Sequence, residues 1–119
     1  SVSEFIARES SLNYDFSLSE WYGDYLYPTT FLNLFRSHSG TNRTGWMNSH
    51  YDELINQAGI RTDRRIKISL LQEAEALLLQ ELPILPLFHG AKDYLLSPNV
   101  KGIFDNSLFF QPNKYFYNF

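Results

Sequence analysis

Tyr14-Asp15-Phe16-Ser17-Leu18-Ser19-Glu20-Trp21-Tyr22-Gly23-Asp24-Tyr25-Leu26-Tyr27-Pro28-Thr29-Thr30-Phe31 is the stretch on which the fold turns. Tyr14, Phe16 and Leu18 alternate with Asp15, Ser17 and Ser19, the period of a strand with one face on a core and the other in water. The alternation stops at Glu20. Trp21, Tyr22, Gly23, Asp24 and Tyr25 then place three rings, one permissive backbone position and one carboxylate in a short loop, before Pro28 restricts the chain and a helix begins. The expected order is strand, recognition loop, helix.

Working outward, Ser1 and Glu4 form a capping box for a short helix over about residues 2–11, with Phe5, Ile6 and Leu12 along one face. After the loop, Thr29 to Arg36 sets Phe31, Leu34 and Phe35 at helical spacing. Ser37 to Ser49 is polar and glycine-bearing and reads as a loop with Trp46 as its large apolar anchor. Asn48 or Ser49 caps the next helix, whose buried stripe is Tyr51, Leu54, Ile55 and Ala58, with Gly59 as its stop. Thr62 or Asp63 caps the longest helix, which runs to about Leu82. Ile66, Leu70, Ala74 and Leu77 form its stripe, Leu71 and Leu78 widen it, Arg64, Lys67, Glu73 and Glu75 stay in water, and Pro83 ends it. Ile84 to Phe88 and Asp93 to Ser97 read as short strands, with Pro86 at an edge or bulge. The tail is irregular from Pro98 until Tyr115, Tyr117 and Phe119 alternate again.

The composition bounds the function. At 119 residues and 44% hydrophobic, the chain suits one domain with a core. A net charge of -3 without a Lys or Arg run gives no footprint for nucleic acid or an anionic membrane. The most apolar stretch, Ala74 to Leu82, is too short to span a bilayer and is interrupted by Glu75, Gln80 and Glu81. The absence of cysteine excludes disulfides, thiolate metal sites and a cysteine nucleophile. The start has no initiator Met and no targeting pattern, which is expected if a leader was removed or if this is a piece. Seven aromatic residues between Phe104 and Phe119 suggest a tail that meets a partner surface.

Asp24 is the residue singled out for chemistry. A carboxylate beside Trp21 and Tyr22 is a place to hold a ligand ammonium, although Gly-Asp is also ordinary turn chemistry and Trp21 also fits a core ring at a strand end. Glu20 and Asp24 make a poor acid and base pair, because four residues of extended chain separate them by roughly 13 Å, against the ~5 to 9.5 Å of glycosidase carboxylates. No catalytic residue is therefore assigned. His38, His50 and His89 lack ligand spacing, so no metal is expected, nor any cofactor. Asn42-Arg43-Thr44 matches a glycosylation acceptor too short to carry weight. No glycine-flanked nucleophile turn and no phosphate-cradling glycine loop is present.

Several motifs follow one another in a familiar order: Tyr14-Asp15-Phe16 to Trp21-Tyr22-Gly23-Asp24-Tyr25, Pro28-Thr29-Thr30-Phe31-Leu32, Asn42-Arg43-Thr44-Gly45-Trp46, Tyr51-Asp52 with Leu54-Ile55, Leu71-Gln72-Glu73-Ala74-Glu75, Leu82-Pro83-Ile84-Leu85-Pro86-Leu87 and Val100-Lys101-Gly102. This series resembles the C-terminal part of the solute-binding proteins of bacterial peptide-importing ABC transporters, the oligopeptide- and dipeptide-binding group. The resemblance implies an α/β fold, part of the second lobe of a two-lobed periplasmic-binding-protein fold with a mixed sheet and flanking helices. It implies that residues 1–99 belong to the ligand-binding second lobe and residues 100–119 return to the first.

It further implies a non-enzymatic, periplasmic or outer-face membrane-anchored protein that binds oligopeptides and delivers them to permease subunits. Asp24 would pair with the peptide's ammonium, Trp21 would line a side-chain pocket, and the backbone near Tyr22 and Gly23 would bond the ligand's main chain. Two positions depart from the family's pattern. Tyr27 stands where many members have an acidic residue before the proline, and Leu18 stands near a basic residue that in some members meets the peptide's carboxylate. The same fold serves nickel, glycan and haem carriers, and a small α+β protein-interaction module is the alternative outside the fold.

Overall fold

The computed structural model describes residues 1–90, 95 and 97–102, together with the backbone of residues 117 and 118. Its helices are α1 (Val2–Ser10), α2 (Thr29–Leu32), continued by a 3-10 turn over Asn33–Phe35, α3 (Ser49–Ile60) and α4 (Arg64–Glu81). Strand β1 (Val100–Lys101) pairs antiparallel with β2 (Tyr117–Asn118), Val100 opposite Asn118 and Lys101 opposite Tyr117. Tyr115 and Phe119, and most of Asp93 to Ser97, lie outside the described residues.

The core is the hairpin of α3 and α4. Asn48 Oδ1 accepts the N–H of His50 at 2.9 Å and of Tyr51 at 3.0 Å, and Asp63 Oδ1 accepts those of Arg65 at 2.8 Å and Ile66 at 3.3 Å. Each helix start thereby loses two of its orphan donors. Tyr51, Leu54, Ile55 and Ala58 are buried against Leu71, Ala74 and Leu78, and Leu32 of α2 joins them. The α3 stripe is the one its spacing predicts. On α4 the buried line runs through Leu71, Ala74 and Leu78, while Leu70 and Leu77 only flank it and Ile66 is 49% exposed. The stripe is rotated from the expected one because α3 crosses only one side of a helix that carries apolar residues around much of its circumference.

Of the two expected helix stops, the one at Gly59 is overrun and the one before Pro83 holds. α3 runs through Gly59 to Ile60 and ends at an extended Arg61, so the glycine's left-handed freedom goes unused. α4 ends at Leu82, left-handed at φ 52°, immediately before Pro83, whose ring disfavours a right-handed helical predecessor.

Tyr51 joins this hairpin to the rest of the chain. Its side chain is fully buried, its hydroxyl donates to the Leu32 carbonyl at 2.6 Å, and its ring meets Trp46 edge-on at 5.0 Å and 71°. Burial, with Asp52 nearby, pushes the phenol far above its ordinary range, so it stays a donor. In α2 the buried residues are Thr30 and Leu32, not Phe31, which faces outward.

Segment 14–20 is extended but pairs with no strand among the described residues, and neither does Ile84 to Phe88. A strand exists only against a partner that takes up its backbone groups, so apolar alternation alone does not make one. The alternation of segment 14–20 is present but inverted: Phe16 is 76% and Leu18 63% exposed, while the hydroxyls of Ser17 and Ser19 both donate to Glu9 Oε1. Glu9 is the buried side chain of α1, and Phe5, Ile6 and Leu12 are partly exposed. Arg43 Nη1 reaches Glu9 Oε2 at 3.0 Å, and the Tyr14 hydroxyl donates to the Arg43 carbonyl. α1, the extended segment and the loop over residues 37–48 therefore meet on one carboxylate.

That loop is held by a second polar hub. The Asn42 amide group donates to the carbonyls of Phe35, Arg36 and Trp46 at 3.3, 3.2 and 2.9 Å, while its Oδ1 accepts the N–H and the hydroxyl of Thr44 at 3.1 and 2.8 Å. Asn42-Arg43-Thr44 is thus a structural knot, and its side-chain amide is engaged in the fold. Gly45, at φ +74°, completes it where a Cβ would lie 2.9 Å from Leu12.

Replacing Tyr51 with Phe removes a buried donor and leaves the Leu32 carbonyl short of a partner, which should lower stability by about 1–2 kcal/mol in urea unfolding followed by circular dichroism. An unchanged midpoint would contradict this. Burial alone would raise the Glu9 pKa, but hydrogen bonds from Ser17, Ser19 and Arg43, with the guanidinium charge, outweigh it and hold the carboxyl below the ordinary glutamate value of 4.5. Its contribution is therefore complete above pH 4.5 and lost as the pH falls through the lower folded value. Stability of the parent protein should drop more steeply with acid in that window than that of Glu9→Gln, as urea midpoints taken across the window will read.

Candidate functional site

The loop Trp21 to Tyr25 lies between the extended segment and α2, and both ends are fastened. Ser19 is bound to Glu9 at the entry. At the exit the Asp24 N–H donates to Thr30 Oγ1 at 2.9 Å, and the Tyr25 and Thr29 hydroxyls share a bond of 3.1 Å. Thr30 is buried, so this anchor belongs to the core side of α2. Tight packing explains the glycine between them: a Cβ at Gly23 would come within 3.2 Å of Thr30 Cγ2 and 3.3 Å of Phe31 Cζ.

The structure places all four residues singled out in the sequence on this one loop. Trp21, Tyr22 and Asp24 are exposed, so Trp21 is not the core ring that the sequence left as an alternative. The Tyr22 hydroxyl donates to Glu20 Oε2 at 3.2 Å, and that carboxylate pushes the Tyr22 phenol up. Among the described residues, no cation or hydrogen-bond donor engages the Asp24 carboxylate. Glu20 is engaged by Tyr22, so the two carboxylates differ in that only Glu20 accepts a hydrogen bond from a described residue.

Beside the loop, Phe31 also borders a cleft of about 300 Å³ between α2 and α4, lined further by Pro28, Leu32, Ile68, Leu71, Gln72 and Glu75. The lining is mainly apolar with two polar ends. Tyr27, where a carboxylate was noted as missing, packs on the core, and Lys67 Nζ lies 5.4 Å from its ring centroid. α2 accordingly starts at Pro28 without a side-chain cap.

The three histidines do not converge. His50 Nε2 lies 3.7 Å from Glu73 Oε1 on an exposed surface, and no group of three His, Asp or Glu with metal-binding geometry occurs among the described residues. No helix among them is long and apolar enough to cross a membrane.

Sequence reasoning missed Glu9, Arg43 and Thr30. One signal was available for Glu9: it lies four residues after Phe5 and three after Ile6, on the face assigned to the core, where a carboxylate needs partners. Arg43 and Thr30 carried no such signal, because their partners are 34 and 6 residues away and are brought to them by the loops.

No family model matches the chain. It is 39% identical over 99 residues to the dipeptide-binding protein DppE of Bacillus subtilis, covering 83% of this chain and 18% of that protein. It is 38% identical over 90 residues to the probable deoxycholate-binding periplasmic protein YgiS of Escherichia coli, covering 74% of this chain and 17% of that one. The unliganded open form of the periplasmic murein tripeptide binding protein MppA superposes with a TM-score of 0.75 at 29% identity, over 85% of this chain and 20% of its own. The chain thus spans about a fifth of the length of these relatives, and its helical architecture with little strand is that of the matching part of the periplasmic binding protein fold. Over the matched residues, the chain belongs to the oligopeptide- and dipeptide-binding family of bacterial solute-binding proteins.

Proposed function

We propose that this chain is part of the extracytoplasmic solute-binding component of a peptide ABC importer, which takes a peptide between two lobes and passes it to permease subunits. Residues 1–99 form part of the second, ligand-binding lobe in this reading, and residues 100–119 return to the first. The protein works in the periplasm or anchored at the outer face of the cytoplasmic membrane, and it binds its ligand without transforming it.

The observation that carries the reading is the exposed Asp24 carboxylate, held beside Trp21 and Tyr22 by its own N–H on Thr30, in a chain so similar to a dipeptide-binding protein. An ammonium bonded to that carboxylate contributes roughly 1.5 to 3 kcal/mol, about ten- to a hundredfold in affinity. Trp21 supplies an apolar wall for a side chain, and backbone groups of Tyr22 and Gly23 address any peptide main chain alike. A missing lobe accounts for the surface as well: eight apolar side chains are buried among the described residues, against twenty large ones exposed.

The similarity to YgiS favours a second reading, an apolar carboxylate ligand of the bile-acid kind. Asp24 argues against it, because a carboxylate at the recognition loop repels an anion. Calorimetry on the full-length protein carrying this chain, with trialanine free and N-acetylated and with deoxycholate, distinguishes the two. Binding of the free peptide at least tenfold tighter than the acetylated one, with that margin lost in Asp24→Asn, is expected. Equal binding of both peptides removes Asp24 from this role, and binding of deoxycholate alone selects the second reading.

A further inference from the structure

A buried carboxylate is an expensive way to hold a surface helix, and Glu9 is one: its side chain is 8% exposed. What it gathers is specific. Ser17 and Ser19 donate to one oxygen, and Arg43 to the other. The charged group facing it from the 37–48 loop is Arg43; from the extended segment it meets the two serine hydroxyls; on its own helix Glu4 and Arg8 pair with each other at 3.0 Å on the exposed side. The carboxylate is thus compensated by groups from two distant stretches of chain.

One of those stretches enters the recognition loop. Ser19 is fixed to Glu9 and Asp24 is fixed to Thr30, so only Glu20, Trp21, Tyr22 and Gly23 lie between two anchors, and Gly23 is itself packed on Thr30 and Phe31. With both ends held, the backbone that carries Trp21 and Asp24 is restrained at its entry and its exit. No backbone ladder among the described residues restrains segment 14–20, and after Tyr14, whose hydroxyl bonds the Arg43 carbonyl, its tethers to the rest of the chain are the two serine bonds to Glu9.

We propose that Glu9 is a positioning residue for ligand recognition, fixing the entry of the Trp21 to Asp24 loop through Ser17 and Ser19 so that Trp21 and Asp24 meet one ligand together. This rests on the peptide-binding reading of the loop. It extends that reading to a residue that never meets the ligand, and predicts that selectivity for a free amine depends on α1. Preorganisation of this kind raises affinity by lowering the ordering cost of binding.

The test uses the full-length protein labelled with 5-fluorotryptophan, with the Trp21 resonance assigned through Trp21→Phe, and two variants, Glu9→Gln and the double variant Ser17→Ala with Ser19→Ala. In the unliganded protein, both variants should shift and broaden the Trp21 fluorine signal and leave that of Trp46, which packs on Tyr51 in the core, in place. The ratio of affinities for free and N-acetylated trialanine should fall by at least tenfold in both. A purely structural role would lower both affinities together through loss of folded protein and leave the ratio alone.

An unmoved Trp21 signal in both variants overturns the proposal, and so does a moved signal with an unchanged ratio. If the parent protein does not discriminate between the two peptides, the peptide reading of the loop fails, and the fluorine signal still decides whether Glu9 fixes it. Should Glu9→Gln fail to fold, the double serine variant, which keeps the Glu9 to Arg43 pair, decides alone.

Discussion

The hydroxyl of Tyr51 is buried where water does not reach, and it must find an acceptor. It finds the carbonyl of Leu32, and that one bond sets α2 against the α3 and α4 hairpin. α2 in turn offers Thr30 to the Asp24 N–H and Phe31 to the close approach of Gly23. The Trp21 to Tyr25 loop is therefore reached from the core through a series of contacts in which each member has a steric or hydrogen-bonding reason to be where it is. Trp46 closes the other side of Tyr51, and its indole N–H donates to Glu81 Oε2 at 2.6 Å. Glu81 also accepts from Asn48, the cap of α3, at 2.8 Å, so the end of one helix steadies the start of its neighbour.

Away from the hairpin, polar hubs do what a ladder of strands does elsewhere. Glu9 gathers α1, the extended segment and Arg43, and Asn42 gathers the carbonyls on both sides of its own loop. Such hubs act at close range in a low dielectric, where a fully satisfied network is rigid and a partly satisfied one is costly. They also reverse the ordinary orientation of an alternating segment. Phe16 and Leu18 face out because the hydroxyls that alternate with them have a carboxylate to bond.

The outward-facing apolar side chains thus share one physical origin with the proposed function. A recognition loop whose rings were buried at home would have nothing to offer a ligand, and a lobe that closes on another keeps apolar surface for the closed state. Trp21, Tyr22 and Phe31 are all exposed, and the backbone beside them is tied to α2 by the Asp24 N–H on Thr30.

Much of this was legible in the sequence, and the legible part is local. The cap at Ser1, those at Asn48 and Asp63 to within one residue, the buried stripe of α3, the anchoring of Trp46 and the stop before Pro83 each depend on residues a few positions apart, so spacing reveals them. The ordered series of motifs was enough to indicate the family, because it reflects many such local patterns in one order. What the sequence left open depends on contacts between distant segments. Whether the alternation at Tyr14 to Ser19 forms a ladder, which side of α4 is buried, and whether Glu9 or its apolar neighbours turn inward were decided by which surfaces meet in three dimensions. A period specifies a face, but only the tertiary structure provides the partner that determines which face is covered.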